Sequence, residues 1–392
     1  MTPLLRKCQS AWGLLGAVLR GWRTREKIVV IESDDWGGIR TASREAYDRL
    51  VDAGYPMARS HHSLDALETG RDLDLLFEVL DGVRDARGRP ACMTANLIVA
   101  NPDFERIRDA AFERYEWEPA TATLARRDAC RGVMARRADG LKRALFVPQL
   151  HAREHVCWWR WMEALRAGSA EARLTFDLGM CGVPHAVSRE HQSFYVPVYA
   201  PDEELAEHAV DLQAMVADAV RLFAEQCGYR ALSVTAPLYH WTRRTERAWW
   251  REGIRYIQGA TFQHLGRGRR RTHRLGQRSP AGCWYLIRNC AFEPLPQGPD
   301  ACDRALAEVA RAFRFHKPAV IGSHRYNYIG SIDPDGRDRS LRALASLLKA
   351  VRERWPEVCF LSSPELGAMI EHRLDTVEAL SRAVDVTGHP AA

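Results

Sequence analysis

The stretch Lys27-Ile-Val-Val-Ile-Glu-Ser-Asp-Asp-Trp-Gly-Gly38 decides the fold class. Its run of β-branched residues predicts a buried strand. The acidic pair Asp34–Asp35 follows where this strand should end, and the two glycines supply the freedom that a tight turn needs. Taken alone, such a pair is typical of a helix or turn cap. Whether this pair is a cap or part of a functional site therefore depends on which other residues the fold places beside it.

The same pattern of a short β-rich run followed by a longer amphipathic segment recurs along the chain. The predicted strands are Lys27–Ser33, Cys92–Ala100, Ala144–Leu150, Ala231–Thr235, Arg255–Gly259, Trp284–Asn289, Ala319–Ser323 and Val358–Leu361. Repeated β-then-α order predicts an α/β fold with a parallel sheet, and about eight strands suit a (β/α) barrel. The stretches 101–143 and 178–230 are predicted to be insertions between barrel strands.

Two further strand candidates end on histidines. His151 directly follows the run Ala144–Leu150, and His324 directly follows Ala319–Ser323. The carboxyl ends of the strands are where α/β barrels build their active sites. With the acidic pair, three predicted strands are thus followed directly by residues that can bind a metal or transfer a proton. Three such cases are harder to explain by chance than one, and they predict an active site at these strand ends.

The segment His151-Ala-Arg-Glu-His155 predicts a metal site. Two histidines four residues apart lie on one face of a helix and can converge on one ion. Two imidazoles with one carboxylate form a catalytic site that keeps a position open for water, and they suit Zn²⁺ or a similar divalent ion. The alternative is a pair of histidines that lies at the surface, or one that is buried with its hydrogen bonds made inside the core. His324 is either structural or a proton donor to a leaving group.

In these motifs the chain resembles a divergent branch of the polysaccharide deacetylase superfamily, similar to carbohydrate esterase family four. That family has a strand end of the T-F-D-D-G type, an H-S/T-x-x-H motif and a last strand that ends on a histidine. The matching segments here are Glu32-Ser-Asp-Asp-Trp-Gly37, His151-Ala-Arg-Glu-His155 and the AVIGSHR run at His324. The family's R-x-P-Y/F motif corresponds to Thr235-Ala-Pro-Leu-Tyr239, which keeps the proline and lacks the arginine.

The resemblance implies a distorted (β/α) barrel with insertions and a metal-dependent hydrolase that removes acetyl or other acyl groups from a carbohydrate. It implies that Asp35, His151 and His155 bind a divalent ion, for which zinc is expected. Asp34 would be the base for a water molecule activated by the ion, and His324 the acid. The implied substrate-binding positions, with a backbone N–H near Leu238 as oxyanion donor, are Asn96, Pro237, Leu238, Tyr239, Arg40 and Arg325. The arginine that orients Asp34 is expected to be Arg40, Arg288 or Arg325.

Three other interpretations stay open. His151 to His155 also match the H-x-x-E-H pattern of inverted zinc peptidases, with Glu154 as the base. A glycoside hydrolase would need two carboxylates flanking the bond, such as Asp34 with Glu32 or Glu293. A barrel that binds glycan without turning it over is the third, and the missing arginine is its best support.

Composition bounds the class of protein. With 392 residues, 46% apolar and 27% charged, the chain is long enough for a large core and is neither disordered nor fibrous. We expect an N-terminal amphipathic basic helix at 1–26, one barrel domain at 27–365, and a C-terminal helix and tail at 366–392. The apolar stretch 8–19 is too short to span a bilayer. It is expected to pack on the protein or to contact an anionic membrane surface. The ten cysteines, without a CxxC pair, predict reduced thiols and a cytoplasmic protein.

The densest basic run is Arg267-Gly-Arg-Arg-Arg-Thr-His-Arg274. It is typical of a solvated loop, and alternatively it contacts an acidic glycan, a phosphate or a lipid headgroup. The net charge of +6 is spread along the chain and gives no reason to expect a nucleic-acid partner.

Overall fold

The computed structural model describes residues 20–391 except 196–198, 200 and 267. The strands are β1 (Ile28–Trp36), β2 (Met93–Ile98), β3 (Ala100–Pro102), β4 (Trp117–Pro119), β5 (Phe146–Ala152), β6 (Ser233–Thr235), β7 (Tyr256–Gly259), β8 (Phe262–His264), β9 (Arg270–Thr272), β10 (Trp284–Ile287), β11 (Cys290–Ala291), β12 (Ala319–His324) and β13 (Cys359–Phe360).

The α-helices are α1 (Arg44–Asp52), α2 (Gly70–Asp81), α3 (Phe104–Asp109), α4 (Ala120–Ala125), α5 (Val133–Lys142), α6 (Trp158–Arg166), α7 (Ala170–Asp177), α8 (Asp202–Glu207), α9 (Leu212–Cys227), α10 (Arg243–Arg251), α11 (Pro294–Gln297), α12 (Ala301–Arg314), α13 (Pro334–Arg354), α14 (Ser363–Glu371) and α15 (Val377–Ala383). Short 3-10 turns occur at Met57–Arg59, His61–Leu64, Asp128–Cys130, Pro237–Tyr239, Gly298–Asp300 and Arg325–Asn327.

The main sheet is parallel and has the order β10-β7-β6-β5-β2-β1-β12-β11, with β13 also paired to β1. Each of the eight predicted runs overlaps one of the nine strands of this sheet, which confirms the α/β barrel-type prediction. β1 lies in the middle of the sheet and is buried along its whole length, as expected of a parallel strand covered on both faces. Helices α5, α9, α12 and α14 contact the sheet.

The two end strands of the sheet, β10 and β11, belong to one bent segment of the chain. The Arg288 N–H donates to the Gly259 carbonyl on the β7 side at 2.8 Å, and the next residue, Asn289, donates to Val320 on β12 at 3.0 Å. One segment, 284–291, therefore hydrogen-bonds to both sides of the sheet and curls it into a distorted barrel. Arg288 lies at the point where the segment changes partner.

The apolar periodicity of the sequence predicts one helix at Glu203–Glu225 and another at Glu154–Ala167, and the structure differs at both. The run 203–225, predicted as one helix, is divided into α8 and α9, because the Asp211 side chain caps a new helix by accepting from the Ala214 N–H. The run predicted as a helix from Glu154 begins at Trp158, since residues 153–157 form the turn that leaves β5.

The N-terminal stretch 8–19 lies outside the described residues. Within the described part of the chain, no helix has both the length and the apolar character that crossing a bilayer requires. Nine cysteines are described, all as free thiols, and seven of them are buried.

Candidate metal centre and acid–base site

The end of β1 is strained where the acidic pair lies. Asp35 has a φ of 78°, in the left-handed region that side chains other than glycine avoid. Neighbouring residues of a regular strand point to opposite faces, yet Asp34 and Asp35 both line the same cavity. The left-handed turn at Asp35 explains this, at a cost of about 1–3 kcal/mol that the surrounding structure offsets. The carboxylates of both aspartates therefore face the same cavity.

Asp35, His151 and His155 form one buried cluster. One Asp35 carboxylate oxygen lies 3.3 Å from Nε2 of His151 and 3.8 Å from Nε2 of His155. One ligand atom from each residue lies within 4.8 Å of the other two. Nδ1 of His151 is 2.8 Å from the Thr235 carbonyl. Because a carbonyl only accepts, Nδ1 carries the proton and the lone pair of Nε2 faces the cluster.

The two histidines do not share a helical face, and that expectation is wrong. His151 lies on β5, and His155 lies in the turn that precedes α6. Their rings still meet edge to face, with centroids 5.2 Å apart. Burial lowers the pKa of His155 to about 3, so this imidazole is neutral at physiological pH, as a metal ligand must be.

These donors fit a divalent ion. Two imidazole nitrogens and a carboxylate oxygen are the set that catalytic zinc sites use. Nδ1 of His155 is buried without a hydrogen-bond partner among the described residues, so no hydrogen bond within the protein accounts for this buried nitrogen. Arg40 lies 3.5 Å from the other Asp35 oxygen. Burial would raise the pKa of Asp35, but Arg40 and the two histidines hold it well below its usual range.

Asp34 is held by Arg288 from the barrel-closing segment. The two terminal guanidinium nitrogens donate to the two Asp34 oxygens at 2.7 Å each, and Nε donates to Glu32 at 2.6 Å. Asn96 donates to Asp34 as well, at 2.7 Å. Burial would raise the pKa of Asp34, but Arg288 outweighs it and holds that pKa well below its usual range. Of the three arginines expected as candidates, Arg288 is the one that contacts Asp34.

His324 stands opposite Asp34 in the register of β12 and β1. Its Nδ1 lies 2.5 Å from Glu293, whose other oxygen accepts from Asn327 at 2.6 Å. Burial alone would lower the pKa of His324, but the contact with Glu293 raises it to about 9. The imidazole is therefore protonated at neutral pH, and Nε2 carries a proton that it can donate.

A cavity of about 760 Å³ opens over these groups. Asp34, Asp35, His151, His155 and His324 line its inner part. Its outer walls carry His62, His185, Tyr195, His240, Phe262 and His264. A second cavity of about 290 Å³ shares Tyr239 and His324 with it and reaches Glu293. The groove thus extends to both sides of His324.

The remaining residues expected at the groove take several positions. Leu238 is 53% exposed and lines the cavity with Tyr239 on a turn where both have a φ of 53°. Pro237 and Asn96 are buried. Arg40 lines the cavity and lies 4.7 Å from the centre of the Tyr195 ring.

Arg325 has a different environment. It is fully buried, donates to Asp65 at 2.9 Å and to Glu68 at 3.0 Å, and does not line the large cavity in the part of the chain that is described. The sequence had indicated neither the outer-wall residues nor Asp65 and Glu68, because they lie on turns, insertions and hairpins without a strand-end pattern.

The geometry argues against the peptidase interpretation and against Glu32 as the second carboxylate of a glycoside hydrolase, whereas Glu293 lines the second cavity and stays open as that partner. Glu154, the base of a peptidase reading, accepts from Arg153 at 2.6 and 2.9 Å and does not lie on a helix. Glu32 is fully buried and binds Arg288 and Ser363. A carboxylate so enclosed cannot flank a glycosidic bond opposite Asp34.

No model of a known protein family matches the chain, and no curated protein matches it. Solved structures of similar architecture include a protein from Mycobacterium smegmatis assigned to the polysaccharide deacetylases, with a TM-score of 0.44, 11% identity and coverage of 91% of this chain and 94% of that one. A protein from Parabacteroides distasonis assigned to the glycoside hydrolases/deacetylases has a TM-score of 0.45, 11% identity and coverage of 91% and 74%.

A 4-alpha-glucanotransferase from Thermococcus litoralis has a TM-score of 0.44 and 10% identity; the match covers 87% of this chain and only 40% of the glucanotransferase. A CE4 family pseudoenzyme from Bacillus anthracis is also similar, with a TM-score of 0.34, 9% identity and coverage of 87% and 65%. Polysaccharide deacetylases are thus among the proteins of similar architecture, and at these identities the similarity concerns the fold alone.

Proposed function

We propose that this chain is a metal-dependent hydrolase that removes acetyl or related acyl groups from a carbohydrate. One observation carries the proposal: the cavity brings together the cluster of Asp35, His151 and His155, the arginine-bound carboxylate Asp34 and the protonated His324. Such a set contains a ligand group, a base and an acid in one space. A groove open on both sides of His324 suits a sugar chain.

The ion held by Asp35, His151 and His155 is proposed to be zinc. When bound, it would act as a Lewis acid on the acyl carbonyl and lower the pKa of a water molecule next to it. The preference for zinc follows from the two imidazoles, because hard ions such as Mg²⁺ and Ca²⁺ favour sites made of oxygen ligands alone.

The remaining steps belong to the side chains. Asp34 accepts one proton from the water whose oxygen attacks the acyl carbon, and Arg288 orients Asp34 for this transfer. The backbone N–H near Leu238 is proposed to stabilise the negative charge on the carbonyl oxygen. The bond from carbon to the sugar nitrogen or oxygen then breaks, and His324 gives its proton to that leaving atom.

Metal content and turnover test the proposal together. We expect about one zinc per chain in purified protein and release of acetate from N-acetylated oligosaccharides. Asp35→Ala and His155→Ala should each weaken zinc binding by more than about 100-fold, since even outer partners of a metal ligand contribute about 10–100-fold. His372→Ala, at an exposed histidine after α14, is the matched control and should bind zinc normally. A metal-free protein whose ligand variants behave like wild type would contradict the proposal.

Glu293 is expected to set the pH range of the reaction by acting through His324. The acid must be protonated, so activity is lost as pH rises through its pKa, near 9 with Glu293 in place. In Glu293→Gln this alkaline limb of kcat/KM should move down to about pH 6.5 or below, because the imidazole loses its anionic partner.

Glu308→Gln is the control for this pH profile. Glu308 is the other carboxylate that lines the second cavity, and it accepts from the Ala291 N–H. It is expected to leave the alkaline limb in place. An unmoved limb in Glu293→Gln would show that His324 is not the acid.

A further inference from the structure

The hairpin formed by β8 and β9 is one wall of the large cavity. Phe262, His264, Gly266 and Gly268 line it. The two strands pair antiparallel, with His264 opposite Arg270 and Phe262 opposite Thr272. Directly paired residues project to the same face of a two-stranded sheet. Arg270 therefore projects on the cavity side, and its guanidinium carbon lies 4.8 Å from the centre of the Phe262 ring.

The arginines of this hairpin carry charge that the protein does not neutralise. Arg269, Arg270 and Arg274 are exposed and Arg271 is half-buried. Within the described residues none of the four has a carboxylate within ion-pair distance. This contrasts with Arg40, Arg288 and Arg325, each of which is paired with at least one buried carboxylate.

The space between the hairpin and the inner site offers no repulsion to an anion. Among the described residues that line the large cavity, Asp34 and Asp35 are the only carboxylates. Asp34 is bound by Arg288 and Asp35 lies beside Arg40. The wall that leads outward carries His240, Phe262 and His264. Arg270 is not among the described lining residues and lies next to this wall, against the ring of Phe262. A cavity of this size has room for a sugar whose acyl group reaches the inner site while a second substituent lies at the hairpin.

We propose that the substrate is an acylated sugar that carries an anionic substituent, a phosphate or a carboxylate, and that Arg270 binds this group at the mouth of the cavity. Guanidinium suits both anions because its planar donors match two oxygens at once. The Arg270 guanidinium makes a cation–π contact with the ring of Phe262, which holds it next to the cavity. The inference rests on the proposed function for the position of the acyl group, whereas the anion site stands on the hairpin alone.

Binding to the whole protein tests the anion site without turnover. The probes are N-acetylglucosamine, N-acetylglucosamine 6-phosphate and N-acetylmuramic acid, measured by titration calorimetry at low salt. We expect at least one of the two anionic sugars to bind about tenfold more tightly than the neutral one, the ratio that 1.4 kcal/mol provides. The excess should shrink as salt is raised. The preferred probe tells phosphate from carboxylate, and equal affinity for all three sugars would overturn the proposal.

Arg270→Gln should remove most of that excess, and Arg270→Glu should reverse it. Arg342→Gln, at an exposed arginine of α13, is the matched control and should keep the wild-type ratio. An excess that persists in both Arg270 variants would overturn the assignment of Arg270. Vesicles of phosphatidylglycerol separate a sugar substituent from a lipid headgroup: binding to them that depends on Arg270, without any preference among the sugars, would also overturn the proposal.

Turnover of the same three sugars separates this inference from the proposed function. If acetate is released with equal kcat/KM from neutral and anionic sugars, the proposed hydrolase function is supported and the proposed anion site is contradicted. Binding of an anionic sugar through Arg270 without acetate release from any probe, in zinc-loaded protein, would support the anion site and count against the hydrolase.

Discussion

Arg288→Met is expected to lower the free energy of unfolding by about 3–5 kcal/mol at pH 7, the usual effect of removing one partner from a buried ion pair. Arg288 donates to both Asp34 and Glu32. Without it, two buried carboxylates share one pocket, and the donors that remain hydrogen-bonded to them, Asn96 and Ser363, are neutral. Denaturant unfolding followed by circular dichroism measures the loss.

The pH dependence of that loss identifies its cause. In the wild type Arg288 lowers the pKa of Asp34, so the stabilisation by their contact is present at neutral pH and is lost only as pH falls below the usual range of a carboxylate. In Arg288→Met the pKa of Asp34 should rise above its unfolded value, and the pKa of Glu32, which burial already raises in the wild type, should rise further, so the folded variant takes up protons and regains stability as pH falls from 7 towards 5. Arg288→Lys keeps the charge and should lose less. A loss that is the same at pH 5 and pH 7 would contradict this account.

Asp34→Asn is expected to lower kcat by about 10²–10⁴, the range that general acid–base catalysis contributes. The amide keeps the shape of the side chain and can still accept one hydrogen bond from Arg288, but it cannot take a proton from water. Zinc binding should persist, because the proposed ligand atoms belong to Asp35, His151 and His155. Acetate release and zinc content are measured on the same preparation.

The same substitution one residue later is the control. Asp35→Asn should lose zinc affinity first, and its activity should recover in part when zinc is added in excess. Added zinc should not rescue Asp34→Asn. If both variants lost zinc equally, the division between base and ligand at the end of β1 would be wrong.

Much of this site follows from strand ends that the sequence reveals. The apolar run before Asp34, together with the runs before His151 and His324, predicts parallel strands, and parallel strands bring their carboxyl ends to one edge. The convergence of these residues needs no further information. The positive φ of Asp35 is different, because it results from packing around the turn and has no counterpart in residue type.

The histidine pair shows how a spacing can suggest the wrong local structure. Four residues is the distance of one helical turn, so the pair predicts a helical face. In the structure His151 ends a strand and His155 follows in a turn, and the Thr235 carbonyl from the neighbouring strand β6 fixes the first ring. Tertiary contacts alone set the orientation of the two rings. The sequence therefore predicts that the two histidines converge, but not the local backbone structure that brings them together.

Arg288 could be named only as one candidate among three for the same reason. In sequence it is 254 residues from Asp34 and looks like any arginine after an apolar run. Its role arises from the change of partner in the segment 284–291. Much of the outer wall of the cavity could not be predicted, since His185 lies on an insertion and His264 on a hairpin whose course follows from packing on the barrel.

The closure of the barrel by segment 284–291 also orders events during synthesis. Asp35, His151 and His155 all lie in the first 155 residues of the chain, whereas Arg288, Glu293 and His324 come from its last third. A growing chain has released all three proposed zinc ligands from the ribosome long before the residues proposed to orient the base and to supply the acid. The reactive groups are thus completed last, by the strand that closes the barrel, and a truncated product can carry the ligand set without being able to use it.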